Sequence, residues 1–292
     1  LKTEETIIEF YKDHPILNLP NVKFGGTGFY YDKSPFLKED IEHCMPDYHL
    51  YDDWVKDCIN KGMKAKDFVY YTDYSIGFLT RGCFRQCSFC VNRNYTKCVK
   101  HSNLSEFIDL DRPKICFLDD NFFACPNWKD IIEDVKSYQK KFQFKQGLDE
   151  RLLTKEHIKE FLSWNYEGDY IFAFDNIDDK EVIESKLNLI YSITNKPKHR
   201  LKFYLFCGFD RDEKYDKEFW ERDIDGLFER IFILAKYNAI PYVMRHENYQ
   251  MYEHSGIYKN ISSWTNQPSL FLKFTFRMFS KCKGMTTEGY NK

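Results

Sequence analysis

The chain has 292 residues, enough for a well-buried core without disulfide support, so a small stapled scaffold is excluded. Its 43 basic side chains against 45 acidic ones leave a net charge of −2, which argues against a general nucleic-acid binder held by bulk charge. With 43% apolar and 30% charged residues it reads as globular rather than disordered, and no run reaches the ~20 apolar residues a bilayer span needs.

Residues 1–70 read as an N-terminal appendage. Gly25-Gly26-Thr27-Gly28 suits a glycine turn more readily than a phosphate contact, and Pro46-Asp47-Tyr48 connects onward. The first residues are charged and lack the apolar segment of a secretory signal, so the expectation is a soluble cytoplasmic protein with no membrane association; a start at Leu1 suggests residues upstream.

From residue 71 to 250, short apolar runs alternate with helix-period segments about every 30 residues, the pattern of βα units in a parallel sheet. The strands are expected at residues 75–80, 114–118, 142–146, 169–174, 201–206 and 240–244. Between them lie helices, with Trp128, Ile131, Ile132 and Val135 on the first, Thr154 capping the second, and Ile224, Leu227, Ile231 and Leu234 on the last. Such units stay open or curl into a full or partial barrel, and in each case the C-terminal strand ends form the ligand face. Residues 251–292, with Trp264, Phe271, Phe274, Phe276 and Phe279, read as a C-terminal helical cap.

Ten cysteines in a Lys- and Glu-rich chain without an export signal point to reduced thiols. Cys83, Cys87 and Cys90 fall within eight residues, directly after the first strand, whereas the other seven are scattered. Three thiolates are one short of a closed zinc or iron–sulfur site. The spacing therefore fits either a [4Fe-4S] cluster with one iron left open, or a zinc-binding interaction module completed by Cys98 or His101.

The segment Thr80-Arg81-Gly82-Cys83-Phe84-Arg85-Gln86-Cys87-Ser88-Phe89-Cys90, with C-x3-C-x2-C and an aromatic before the third cysteine, resembles the radical SAM superfamily. The resemblance runs over about residues 75–250. It implies an α/β partial (βα)6 TIM-like barrel, a [4Fe-4S] cluster on Cys83, Cys87 and Cys90, and S-adenosylmethionine on the open iron. Reductive cleavage of that cofactor to a 5′-deoxyadenosyl radical would serve hydrogen abstraction from, or modification of, an unidentified substrate. A reducing partner such as flavodoxin or ferredoxin is implied.

In superfamily members the loop after the second strand meets the methionine ammonium; here it carries Asp119, Asp120 and Asn121 in place of the usual glycine-rich form. Phe89 belongs to the same cofactor shell by its place in the motif. After the third strand, Gln146, Asp149, Glu150 and Arg151 offer partners for ribose hydroxyls and the methionine carboxylate. Asp175 and Asn176 follow the fourth strand, and Gly208, after Cys207, lies where backbone approaches adenine in superfamily members. Arg245, His246, Glu247 and Asn248 after the sixth strand are substrate-pocket candidates. The N-terminal segment resembles the end of the appended domain of cobalamin-binding members, but 70 residues are too few for that domain and no Asp-x-His-x-x-Gly motif is present, so cobalamin is not expected.

Overall fold

A computed structural model describes residues 38–92 and 95–282, together with residue 20; Gly25–Gly28 and, residue 20 apart, the rest of the appendage before Lys38 lie outside the described residues. Among the described residues eight strands are formed: β1 Tyr74–Gly77, β2 Thr80–Arg81, β3 Val99–Lys100, β4 Lys114–Phe117, β5 Lys141–Phe144, β6 Tyr170–Ala173, β7 Leu201–Cys207 and β8 Ile240–Arg245. Six of them run parallel in two three-stranded sheets, β1-β4-β5 and β6-β7-β8. Two isolated parallel bridges, Phe142 to Tyr166 and Leu148 to Phe172, join the sheets, so spatial order follows chain order. Helices Trp128–Ser137, Lys155–Ser163, Lys180–Ile193 and Lys217–Lys236 make the crossovers.

The reason for this layering is visible strand by strand. In β7, Leu201, Phe203, Leu205 and Cys207 are buried while Lys202, Tyr204 and Phe206 between them are half-exposed, the period of two of a strand with unlike faces. The buried set joins Ile115 and Phe117 of β4, Phe142 and Phe144 of β5, and Tyr170 and Phe172 of β6 in one apolar cluster. All four crossover helices reach that same cluster, through Ile132, Ile158, Ile183 and Leu227 among others. Phe122, Phe144 and Trp164 pack within it as tilted rings, with centroids 4.6 and 5.5 Å apart, each fully buried ring contributing about 1.5–3 kcal/mol. The molecule is thus α/β with its helices on one sheet face, and the strands do not close into a barrel.

Both outer strands end in a side chain where a further strand would pair. At β1 the Tyr48 hydroxyl accepts from Ile76 N (2.8 Å) and donates to Phe107 O (2.6 Å); Arg112, stacked on the Tyr48 ring, donates to Tyr48 O and Tyr74 O. At β8 the Asn266 amide accepts from Val243 N (2.7 Å) and donates to Val243 O (3.0 Å). An edge so stopped has no free ladder at that residue to offer another chain. The C-terminal helices Gly256–Thr265, Pro268–Phe271 and Phe276–Cys282 therefore cover the β8 margin, with Trp264 and Phe279 buried.

The first strand differs from the expected 75–80. It stops at Gly77, and Thr80–Arg81 instead pairs antiparallel with Val99–Lys100, because the Asp119 carboxylate takes the backbone N–H groups of Leu79 and Thr80 away from the sheet. Thr154 caps its helix as expected, and His157 completes the reciprocal cap.

Replacing Asn266 by Ala leaves Val243 N and O without these partners. Thermal unfolding is expected to show a loss of about 1–3 kcal/mol, and Asn266→Asp, which keeps only the acceptor, an intermediate loss.

Candidate functional site

The three clustered cysteines lie on the loop between β2 and β3, at the C-terminal end of the parallel strands. Left-handed backbone at Gly82 (φ 92°) starts the loop, and a side chain there would meet Lys97 O and the Tyr95 ring, so only glycine fits. A second left-handed residue, Gln86, lies between Cys83 and Cys87, and its side chain bonds back to Tyr95 O. A turn from Cys90 N to Cys87 O (2.9 Å) brings the last two thiols round. Arg85 N points at Cys83 Sγ and Asn92 N at Cys90 Sγ, both at 3.4 Å.

The loop is held from the end of β4. Asp119, buried, accepts from Leu79 N (3.2 Å), Thr80 N (2.7 Å) and the Thr80 hydroxyl (2.6 Å). Asp120 brackets the loop, one oxygen accepting from Gly82 N (2.8 Å) ahead of Cys83 and the other from Asn92 Nδ2 (2.5 Å) behind Cys90. Asn121 Nδ2 donates to Cys83 Sγ (3.3 Å) and to Asp149 (3.2 Å), while its Oδ1 is buried without a partner. In this structure the acidic tripeptide after β4 is therefore the framework of the cysteine loop.

Behind the loop, the residues after β5 form a charged network. Asp149, 6% exposed, accepts from Arg85 Nε (2.7 Å) and Arg151 Nε (2.8 Å), and Arg151 continues to Asp179 (2.9 Å). Burial works to raise the Asp149 pKa, but the two guanidinium partners outweigh it and hold the carboxyl below its ordinary range. Glu150 is compensated far less: burial, with the Asp149 charge beside it, pushes it well above the usual range, one oxygen accepts from Ala173 N (3.2 Å), and the other makes no hydrogen bond and lies 4.0 Å from Arg151 Nε. Burial likewise raises Asp119 to about 7 and Asp175 to about 6. Asp175 accepts from Phe206 N (3.0 Å), and buried Arg230 gathers the carbonyls of Phe174, Asp175 and Phe206, tying the ends of β6 and β7 together.

The opposite wall is aromatic. Phe89 of the cysteine loop lies 4.4 Å from the Phe206 ring, and Phe209 and His246 stand beside it. Gly208 (φ 76°) donates to Asp223 and passes so close to Tyr249 that a Cβ would sit 2.9 Å from it. Of the other sequence candidates, Gln146 is exposed, Arg245 and Glu247 are exposed with Arg245 over the Tyr249 ring, and Asn248 bonds the Tyr215 hydroxyl (2.6 Å). Asn176 caps the short helix at Ile177. The structure thus brings together Cys83, Cys87, Cys90, Asp120, Asn121, Asp149 and Arg151, with Asp175 and Phe89 alongside. Sequence reading missed Arg85, Asp179 and Arg230 as members. Arg85 stands inside the motif itself, and Arg230 is a cation within the apolar stripe of Leu227, Ile231 and Leu234, a signal that could have marked it.

The remaining thiols are elsewhere. Cys98 is 4% exposed and burial raises it to about 12; Cys116 is raised to about 11 for the same reason. His101 pairs with Glu42 (3.2 Å). Among the described residues no three His, Cys, Asp or Glu side chains stand in a metal-ligating arrangement, and no helix is long and apolar enough to cross a membrane. Two surface clefts, of about 490 Å³ beside Phe228 and Phe232 and about 350 Å³ beside Lys100 and Asp130, are lined by none of the three cysteines. Compared with protein families, with curated proteins and with solved structures, the chain matches none.

Two outcomes are expected. Asp120→Ala frees both ends of the loop, so alkylation of Cys83 and Cys90 in the metal-free chain should accelerate about tenfold while the melting midpoint shifts little. Asp119 is protonated more readily folded than unfolded, so the stability it contributes is full below about pH 4 and lost as pH rises through about 7. Melting midpoints measured from pH 4 to 8 should fall less steeply in Asp119→Asn than in the parent.

Proposed function

We propose that the protein is an enzyme of the radical SAM type, whose Cys83, Cys87 and Cys90 hold a [4Fe-4S] cluster and whose parallel strands serve as the partial barrel behind it. One observation carries the reading: three half-buried thiols share a loop at the C-terminal strand ends, with N–H groups aimed at two of the sulfurs and a dedicated clamp beneath. An all-thiolate set is the soft-donor chemistry that suits iron–sulfur clusters and zinc. Helices confined to one sheet face, and strands in sequential order, support the barrel part.

The position of the other candidates favours an open set over a closed zinc site. Cys98 is in the core and His101 is turned to Glu42, so neither supplies a fourth ligand to the loop as it stands. When bound, a three-thiolate cluster supplies the electron that cleaves S-adenosylmethionine to methionine and a 5′-deoxyadenosyl radical. The chain's own residues have three tasks. Asp120 and Asn121 set the loop; Arg85 and Arg151, with Asp149 between them, present fixed charge to a polar cofactor; Phe89 and Phe206 offer a ring-lined wall that excludes water. The substrate approaches from the face beside Arg245, Glu247 and Asn248, and the electron comes from a small redox protein such as flavodoxin or ferredoxin in a reducing compartment.

Protein purified without oxygen is expected to hold about four iron and four sulfide per chain, and to release 5′-deoxyadenosine from S-adenosylmethionine under a strong reductant. Single Cys83, Cys87 or Cys90→Ala substitutions abolish the iron, whereas Cys98→Ala retains it. One tetrahedral zinc per chain, with no iron bound after anaerobic reconstitution, would overturn the assignment. Arg151→Ala should keep the iron and weaken S-adenosylmethionine binding about tenfold or more, read by equilibrium dialysis.

A further inference from the structure

Asn121 stands where an asparagine ordinarily serves a helix. It directly precedes the short helix Phe122–Ala124, and an asparagine in that place commonly turns its side-chain oxygen onto the first N–H groups. Here it makes no such bond, and the side chain faces the cysteine loop instead. Its amide nitrogen donates to Cys83 Sγ (3.3 Å) and to an Asp149 oxygen (3.2 Å), one bond for each of its two hydrogens. Its oxygen, on a residue only 3% exposed, has no partner.

The neighbours dictate which way the amide points. Burial works against charge on Asp149, but Arg85 Nε and Arg151 Nε keep it ionised, and a carboxylate only accepts. Turning the amide over would set its oxygen against that carboxylate and against the sulfur. The nitrogen therefore faces them, and the oxygen is left stranded. A buried acceptor without a partner destabilises a fold about as much as a lost hydrogen bond, whereas a leucine would fill the same space without that penalty. An amide kept here against the stability of the fold has its use at the sulfur.

The donor is also held still. Asp119 and Asp120, just before it, are fixed to Thr80 N and Gly82 N, and Phe122 and Phe123, just after it, are buried in the core. The fold, and not the motion of the loop, sets its distance to the sulfur. The second N–H at Cys83 Sγ, from Arg85 (3.4 Å), belongs to the backbone, so Asn121 is the donor there that depends on side-chain identity.

We infer that Asn121 tunes the reduction potential of the cluster on Cys83, Cys87 and Cys90, raising it through the N–H bond to Cys83 Sγ. The inference rests on the reading of these thiolates as [4Fe-4S] ligands. Reduction adds one electron, supplied by the small redox protein named above, and makes the sulfurs more negative. A donor held at a fixed distance binds the more negative sulfur more strongly, so it favours the reduced form over the oxidised one; no bond breaks at Cys83. Its second N–H ties the same sulfur to the Arg85–Asp149–Arg151 network.

The test compares the parent with Asn121→Leu, which keeps the bulk and removes both N–H groups, and with Asn121→Gln, which keeps a donor. All are reconstituted without oxygen and without S-adenosylmethionine. Asn121→Leu should hold parental iron, and a redox titration read by electron paramagnetic resonance should shift its equilibrium about tenfold toward the oxidised form, about 59 mV lower for a one-electron couple. Asn121→Gln should lie nearer the parent. In the metal-free chains the melting midpoint of Asn121→Leu should equal or exceed the parental one, because the stranded oxygen is gone. In chains loaded with Co(II) in place of iron, the thiolate-to-cobalt absorption should move to longer wavelength in Asn121→Leu, which reports the bond at the sulfur itself. A parental potential, a cobalt band that does not move, or a lowered melting midpoint as the sole effect would overturn the inference. Should Asn121→Leu fail to fold, Asn121→Ala is read in its place by the same criteria. Iron uptake with no shift in the variant removes Asn121's role alone, while a parent that takes up no iron removes the cluster reading and this inference with it.

Discussion

The arrangement depends on what happens at the end of β4. A strand that emerges from the core as Phe117 delivers three consecutive hydrogen-bonding side chains, and each takes a different part of the cysteine loop: Asp119 its entrance, Asp120 both its ends, Asn121 the first sulfur. A loop of this length, left to itself, would lose its geometry to chain entropy. Bonds to backbone N–H from partly or wholly buried carboxylates are among the stronger contacts available to it. Asp149 extends the same network to β5, and through Arg151 to the segment after β6, so four successive units are tied to one another where the thiols stand.

Much of this was legible in the sequence, for a physical reason. Parallel strands buried on one face and capped by polar turns leave alternating runs that can be read without coordinates, and β4, β7 and β8 lie within a residue or so of their expected limits. The cysteine spacing fixed the place of the loop equally well. What was not legible was which acid does what. Asp119, Asp120 and Asn121 were singled out for a ligand, yet their visible partners are backbone and thiol, because hydrogen bonds between segments about 40 residues apart leave no periodic trace. The break of the first strand at Gly77 is hidden for the same reason: nothing in Phe78-Leu79-Thr80 shows that Asp119 will claim its amides.

The two sheet faces divide the labour. One is filled with phenylalanine, tryptophan and branched side chains under four helices, and it carries the stability. The other carries Lys202, Tyr204, Phe206, Tyr242 and Met244 half-exposed in register, beside a buried Gln143 and an exposed Lys145. Phe206, at the end of this second face, touches Phe89 of the cysteine loop.

The sheet's margins have a consequence for how the chain is made. Spatial strand order is the order of synthesis, so each parallel strand emerging from the ribosome can add to the one before it, and the newest strand is always the exposed one. Tyr48 is translated ahead of β1 and can stop its outer side early, while Asn266 follows β8 and closes the last. Growth in one direction, with a stopper laid down first and another last, limits the time any ladder waits unpaired in a crowded cell.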